Sequence, residues 1–474
     1  MTQTAVKKEL LMKKTGIINL LISAIFLAAG AGAQEVSFDT GGSLKDVIEQ
    51  AANTDVPAAP SSADMDGKAV KDWTIMVFMN GKNSLSPYVT KDMNEMEVFG
   101  PTPNINIVTE AGRTASQNES YPGGDYDDFD PDYNGIVPQT DGPSIPPFMG
   151  KTRTSTPSSA DWSGVRRYEI VKDTDTREIG SKVIETLART DMGDYDHLAD
   201  FVMWAKVRYP AKRYMLIVWN HGDGWKTKSL KSKPAMKGIS YDDETGNGIT
   251  TVQLGWALKK MGGVDIYASD ACLMQMSEVI YELKDSVPVI VGSEETEPGD
   301  GWAYDFFLER VHKNQNNLTP QVMATAAVEG YNQYYSGKGQ GTTQSAVTTI
   351  NLDSFRALVD QWTVLAMSKG EKDLLKQALS ETMEYEGVDS RDFTHFLTLT
   401  ASKTNVPELK AKSLEVIDFI AKKIVFKNAT SGEGYKTSAG LGIYLPADYY
   451  DHTYSNLAWS ADGKWDEFIQ WLNK

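Results

Sequence analysis

The chain holds a single cysteine, Cys272, in the run Ser269-Asp-Ala-Cys-Leu-Met274, just after the apolar stretch 264–268. Fifty-one residues earlier, His221 sits in Val218-Trp-Asn-His-Gly-Asp-Gly-Trp225, again at the end of an apolar stretch. A thiolate is the strongest nucleophile among ordinary side chains, and an imidazole can take its proton and pass it to a departing amine. The chemistry these residues suggest is therefore attack on a carbonyl carbon. Each sits where a strand gives way to a polar turn, and open α/β sheets present reactive groups at such turns. A helix reading 273–283 predicts that Cys272 stands at a helix start, where unpaired N–H groups would lower its pKa. Gly222 leaves room for main chain to approach. His197, His312, His395 and His452 lack such turns and read as surface or cap residues.

Lys7, Lys8, Lys13 and Lys14 precede an apolar stretch, 17–29, followed by Ala31-Gly-Ala33. That is a charged segment, an apolar core too short to span a membrane well and a small-residue cleavage site, so 1–33 reads as a signal peptide. Its removal takes four Lys and one Glu, moving the net charge from −17 to −20 and leaving no stable membrane span. Such acidity argues against nucleic acid as a partner. An exported chain (periplasmic, surface or secreted) with one unpaired thiol keeps it at the risk of oxidation, which favours chemistry over packing.

Beyond the signal, 34–71 is rich in Ala, Asp, Ser and Pro and reads as a linker or pro-segment. Apolar strands are predicted at 73–79, 105–108, 168–171, 214–219, 264–268 and 287–291, with helices at 88–99, 198–209, 252–261 and 273–283. This alternation predicts an α/β fold with a mostly parallel sheet flanked by helices over 72–316. The stretch 114–164, dense in Gly, Pro, Asp and Tyr, interrupts it as an insertion. Residues 317–474 form a C-terminal α/β region, either a second domain or an extension of the same sheet, with helices at 321–335, 354–368 and 407–425 and strands at 346–350 and 441–444.

The segments Trp73-Thr-Ile-Met-Val-Phe-Met-Asn-Gly-Lys-Asn-Ser-Leu85, Asp191-Met-Gly-Asp194, those around His221 and Cys272, Gly292-Ser-Glu-Glu-Thr-Glu-Pro-Gly-Asp-Gly-Trp302 and Gly440-Leu-Gly-Ile-Tyr-Leu-Pro446 resemble the clostripain family of cysteine peptidases. The resemblance implies a caspase-like fold and a cysteine endopeptidase acting on polypeptides after Arg or Lys. It implies Cys272 as nucleophile and His221 as general acid and base, with the N–H groups of Gly222 and Cys272 receiving the oxyanion. Asp270 and Asp300 would bind the basic side chain of the substrate. The chain departs from the family at Lys82, where relatives commonly carry an acid.

Relatives mature by cleavage between the His and Cys segments. Residues 226–237 hold a lysine cluster there, with Lys228, Lys231 and Lys237 as candidate self-cleavage sites. The proposed chemistry requires no cofactor. Calcium is possible at Asp130, Asp132, Asn134 and Asp141, which match an EF-hand loop apart from its last residue. There are two other readings: a transpeptidase with the same dyad, if an amine outcompetes water at the thioester, and a non-catalytic member whose acidic surface and C-terminal region bind cationic polypeptides.

Overall fold

The computed structural model describes residues 70–114, 162–225, 238–386 and 389–474, all within one compact unit, 69–474. The signal peptide, nearly all of 34–71 and most of the 114–164 insertion lie outside the described residues. So do Asp130, Asp132, Asn134, Asp141, Lys228, Lys231 and Lys237.

A nine-stranded sheet organises the unit, in the order β13-β10-β9-β8-β5-β1-β2-β3-β4. Its middle is parallel: β9 (Val289–Gly292), β8 (Ile266–Asp270), β5 (Ala211–Trp219), β1 (Lys71–Gly81) and β2 (Ile105–Arg113). Antiparallel strands close both sides. Beyond β2 come β3 (Gly164–Glu169) and β4 (Lys182–Leu187). Beyond β9 come β10 (Thr342–Thr348) and β13 (Val425–Ser431). Residues past 317 thus extend the same sheet.

The central strands are apolar on both faces, as a sheet covered on each side requires. In β1, Trp73, Ile75, Val77 and Met79 join one core and Met76 and Phe78 the other. In β5, Met215 and Ile217 face the first and Leu216 and Val218 the second. The first core is closed by α1 (Ser86–Phe99), α5 (Tyr304–Lys313) and α6 (Pro320–Lys338). Over the second lie α2 (Tyr195–Arg208), α3 (Thr251–Lys260) and α4 (Ser277–Leu283). With them are α7 (Leu352–Lys369), α8 (Lys372–Glu381), α9 (Phe393–Lys403), α10 (Pro407–Phe419), α11 (Ala458–Asp462) and α12 (Trp465–Asn473). Local chemistry sets several starts. Asp194 caps α2 through Asp196 N, Thr250 and Gln253 form a capping box on α3, and Thr319 with Pro320 opens α6.

Two small sheets sit near the ends of the central strands. One is β6 (Ile239–Asp242) with β7 (Asn247–Ile249). The other joins β11 (Glu384–Tyr385), β12 (Ser390–Asp392) and β14 (Gly442–Tyr444). No helix among the described residues is long and apolar enough to cross a membrane.

An aromatic cluster pins α12 to α7 and α9. Trp362 is fully buried, its ring 5.2 Å from Phe468 and 5.8 Å from Phe396, and its Nε1 donates to Ser413 Oγ at 2.8 Å. Trp362→Ala opens a cavity and strips Ser413 of that donor. It is expected to cost about 3–5 kcal/mol, read as a lower chemical-denaturation midpoint.

Candidate active site

Strands β5 and β8 run in parallel register with Trp219 opposite Asp270. Asn220 N then donates to Asp270 O at 3.2 Å. His221 and Cys272 each stand two residues past that matched pair, so both loops leave the same edge of the sheet side by side. Gly222 sits hard against the cysteine turn: a Cβ there would lie 2.5 Å from Cys272 O and 3.0 Å from Ala271 Cβ. The N–H groups of Gly222 and Cys272 donate to no atom of the described residues.

The loop after β1, the other neighbour of β5, supplies Ser84. Its Oγ lies 2.9 Å from His221 Nε2. Ser84, His221 and Cys272 therefore rise from three adjacent strands. The segment quoted from 73 to 85 contained Ser84, but only the sheet order shows where it points. Asn220 steadies the histidine turn, with its Oδ1 accepting from Tyr241 N at 2.7 Å and its Nδ2 donating to Asn80 O.

The cysteine turn differs from the expected helix start. Helix α4 begins at Ser277, and 271–276 is an irregular loop. Leu273 takes a left-handed φ of 64°, rare for a branched side chain. Long-range main-chain bonds hold it there: Leu273 N to Glu295 O at 3.1 Å, Gln275 N to Ser293 O at 2.9 Å and Gly442 N to Gln275 O at 2.9 Å. These contacts with the loop after β9 and with β14 outcompete the helical bonds that 273–276 would otherwise form.

The electrostatic expectation changes with it. Cys272 is flanked not by a helix N-terminus but by one N–H, from Glu297, 3.2 Å from its sulfur. Burial pushes the thiol up to about 12; that N–H opposes the shift, while the Glu297, Asp223 and Glu295 charges add to it. Burial also lowers His221, against the pull of Asp243. The resting pair is a thiol and a neutral imidazole.

Asp270 lies behind the cysteine, almost fully buried. Its Oδ1 accepts from Trp302 N at 3.0 Å and its Oδ2 from Tyr304 OH at 2.8 Å. Burial raises it to about 6. Asp300 is more open and already paired: its Oδ2 meets Lys338 Nζ at 2.6 Å and Tyr334 OH at 2.7 Å, and Lys91 Nζ donates to its main-chain O at 3.2 Å. Lys82 points away from the dyad. Its buried ammonium sits 2.8 Å from Asp242 and 3.1 Å from Glu244. His197, expected as a surface or cap residue, turns inward to the buried Glu110, which Arg167 also holds. His395 is half-buried and accepts from Met383 N at 2.9 Å. Among the described residues no cluster of His, Cys, Asp and Glu could hold a metal ion.

Without substrate, the Cys272 thiol is expected to react with iodoacetamide at a rate that climbs steadily past about pH 8, because burial keeps it protonated. Mass spectrometry of the alkylated protein across pH checks this. A plateau between about pH 5 and 8 would instead reveal a preformed thiolate–imidazolium pair.

A model of the Clostripain family matches residues 77–471. The chain is 26% identical over 269 residues to Clostripain from Hathewaya histolytica, covering 52% of this chain and 44% of that protein. It thus spans less than half the length of that curated relative. A secreted C11 cysteine protease from Bacteroides thetaiotaomicron, solved with an irreversible peptide inhibitor, superposes with a TM-score of 0.56 at 18% identity, over 85% of this chain and 98% of that one. An inactive zymogen C11 protease from Parabacteroides distasonis gives 0.56 at 19%, over 83% and 99%. Both share this chain's fold.

Proposed function

The chain belongs to the clostripain family, and from that premise we propose that it is an exported cysteine endopeptidase cleaving after Arg or Lys. One observation carries the reading. A thiol and an imidazole leave adjacent strand ends in register, beside two undonated N–H groups and in front of a buried carboxylate.

The steps follow from the resting state. As a substrate carbonyl approaches, the Cys272 sulfur bonds to its carbon while the thiol proton passes to His221. The imidazole is neutral and able to accept it. With Nε2 held by Ser84 Oγ, Nδ1 is the nitrogen left to exchange that proton. Proton transfer of this kind contributes roughly 10²–10⁴ in rate. The carbonyl oxygen gains charge between the Gly222 and Cys272 N–H groups, the kind of preorganised donor pair that stabilises a tetrahedral intermediate. The imidazolium then protonates the departing amine, and the thioester is cleaved by water. No metal or cofactor enters these steps.

Asp270 supports the basic preference. It lies two residues before the nucleophile, buried, with its charge unmatched by any salt bridge among the described residues. Export rests on the 1–33 pattern and agrees with the secreted relative. Self-activation rests on the lysines of 226–237, which lie between the histidine and cysteine segments, and agrees with the zymogen relative.

On fluorogenic peptides that vary only in the residue before the scissile bond, wild type is expected to cleave after Arg or Lys and Cys272→Ala to cleave none. Cleavage after Asp or Asn, or equal activity in the variant, would overturn the reading. In a second test, purified wild type should be cut after Lys228, Lys231 or Lys237, while Cys272→Ala stays whole across 226–237. Intact mass reads both, and a wild type that is whole there removes self-activation.

A further inference from the structure

Asp270 and Asp300 differ in what already engages their charges. Asp300 is met by Lys338 and faced by Lys91. Beside Asp270, and unremarked in the sequence, lies Glu297. Its carboxyl is within hydrogen-bonding reach of the Asp270 carboxyl. Two carboxyls so close in a dry site cannot both stay ionised, so they share one proton and present a single negative charge.

Glu297 is also tied to the nucleophile, because its own N–H is the donor 3.2 Å from the Cys272 sulfur. Its Oε1 accepts from Gln344 Nε2 at 3.4 Å, and the carboxyl also meets the Asp270 carboxyl and the Trp302 side chain. Two polar atoms near it are orphaned. Gln344 Oε1 and Tyr331 OH are buried and unpaired, and Tyr331 stands in the combined field of Glu297, Asp270 and Cys272. Buried polar atoms are seldom left unpaired unless a ligand or water meets them. Of these two atoms Gln344 Oε1 can only accept and Tyr331 OH can accept, beside one net negative charge next to the sulfur. Their complement is a cation rich in N–H donors.

We infer that Glu297 is a specificity-determining residue, its carboxyl receiving, jointly with Asp270, the ammonium or guanidinium of the substrate residue before the scissile bond. The inference rests on the basic preference proposed above. Asp300 then serves the pocket wall through Lys338, and the charge that selects the substrate belongs to the Asp270–Glu297 pair. Such a pair cancels one positive charge without leaving a second negative one buried.

The test uses Glu297→Gln, which keeps the side chain's size and the main-chain N–H on the sulfur. It is assayed on three peptides differing only in Arg, Lys or norleucine before the scissile bond. The expected loss in kcat/KM is about 10- to 100-fold on the Arg and Lys peptides, as for removal of a charge-assisted contact, and lies mainly in KM. The norleucine peptide should lose far less, and alkylation of Cys272 should not slow, because the variant removes one of the charges that raise its thiol. Glu297→Asp, which keeps the charge, should retain the basic preference and guards against misreading a folding defect. Equal losses on all three peptides, with slowed alkylation, would make Glu297 merely structural and overturn the inference. An undiminished basic preference in Glu297→Gln would overturn it as well. A wild type without basic preference would bring down the proposed specificity itself, a result distinct from either.

Discussion

The pairing of β5 with β8 is the constraint from which the site follows. Parallel strands in register end side by side, and the match of Trp219 with Asp270 sends His221 and Cys272 out of the sheet as neighbours. A shift of one residue would turn every side chain of a strand to the opposite face. That slip is blocked because both faces are filled: Leu216 and Val218 are committed to one core and Met215 and Ile217 to the other. The two loops then need close main-chain approach, and only a residue without Cβ fits at 222. The placing of the thiol, the imidazole and the two N–H groups thus descends from one strand register and one glycine.

Burial then acts on the groups nearest the sulfur in the same sense, favouring the neutral form. It raises the Cys272 thiol, lowers the His221 imidazole and raises Asp270, and Asp92 behind it is lifted to about 7. The thiol and the imidazole consequently rest without formal charge. Charge separation is deferred until substrate supplies a carbonyl to carry the negative charge and, on the proposed reading, a cation to meet the carboxyl pair. This is a different route to a nucleophile from the helix-dipole activation that a cysteine at a helix start would use.

Much of this was legible in the sequence, and the exceptions share a cause. The parallel strands announce themselves as short apolar runs, and the family-like segments fall where the sheet presents its loops. The start of α4 was misjudged because 273–283 is apolar enough for a helix, whereas the fate of 273–276 is decided by partners at 293, 295 and 442. The inward turn of His197 depends on Glu110 of β2, far along the chain. Strand β10 starts at Thr342, earlier than its apolar core suggests, because Thr343 and Ser345 are buried hydrogen-bonding residues rather than exposed ones. Glu297 sat in view within an acidic turn, but nothing in that turn tells an inward carboxyl from a solvated one.

The same long-range logic explains why the segments past 317 cannot be treated as an appendage. Glu294, three residues before Glu297, accepts from Gly440 N at 3.0 Å and lies against Asp392. Asp392 caps α9 through His395 N and also accepts from Ala439 N. Burial and mutual repulsion raise Glu294, so this second carboxyl pair also keeps a proton. Meanwhile Gly442 bonds to Gln275, and Ser345 meets the Gln275 side chain at 2.9 Å. The loop that holds the sulfur is therefore pinned on one side by the loop after β9 and on the other by Ser345 of β10 and Gly442 of β14. A cysteine turn with a left-handed leucine and no helix beneath it is held in part by those distant segments, which makes the C-terminal third part of the architecture around Cys272.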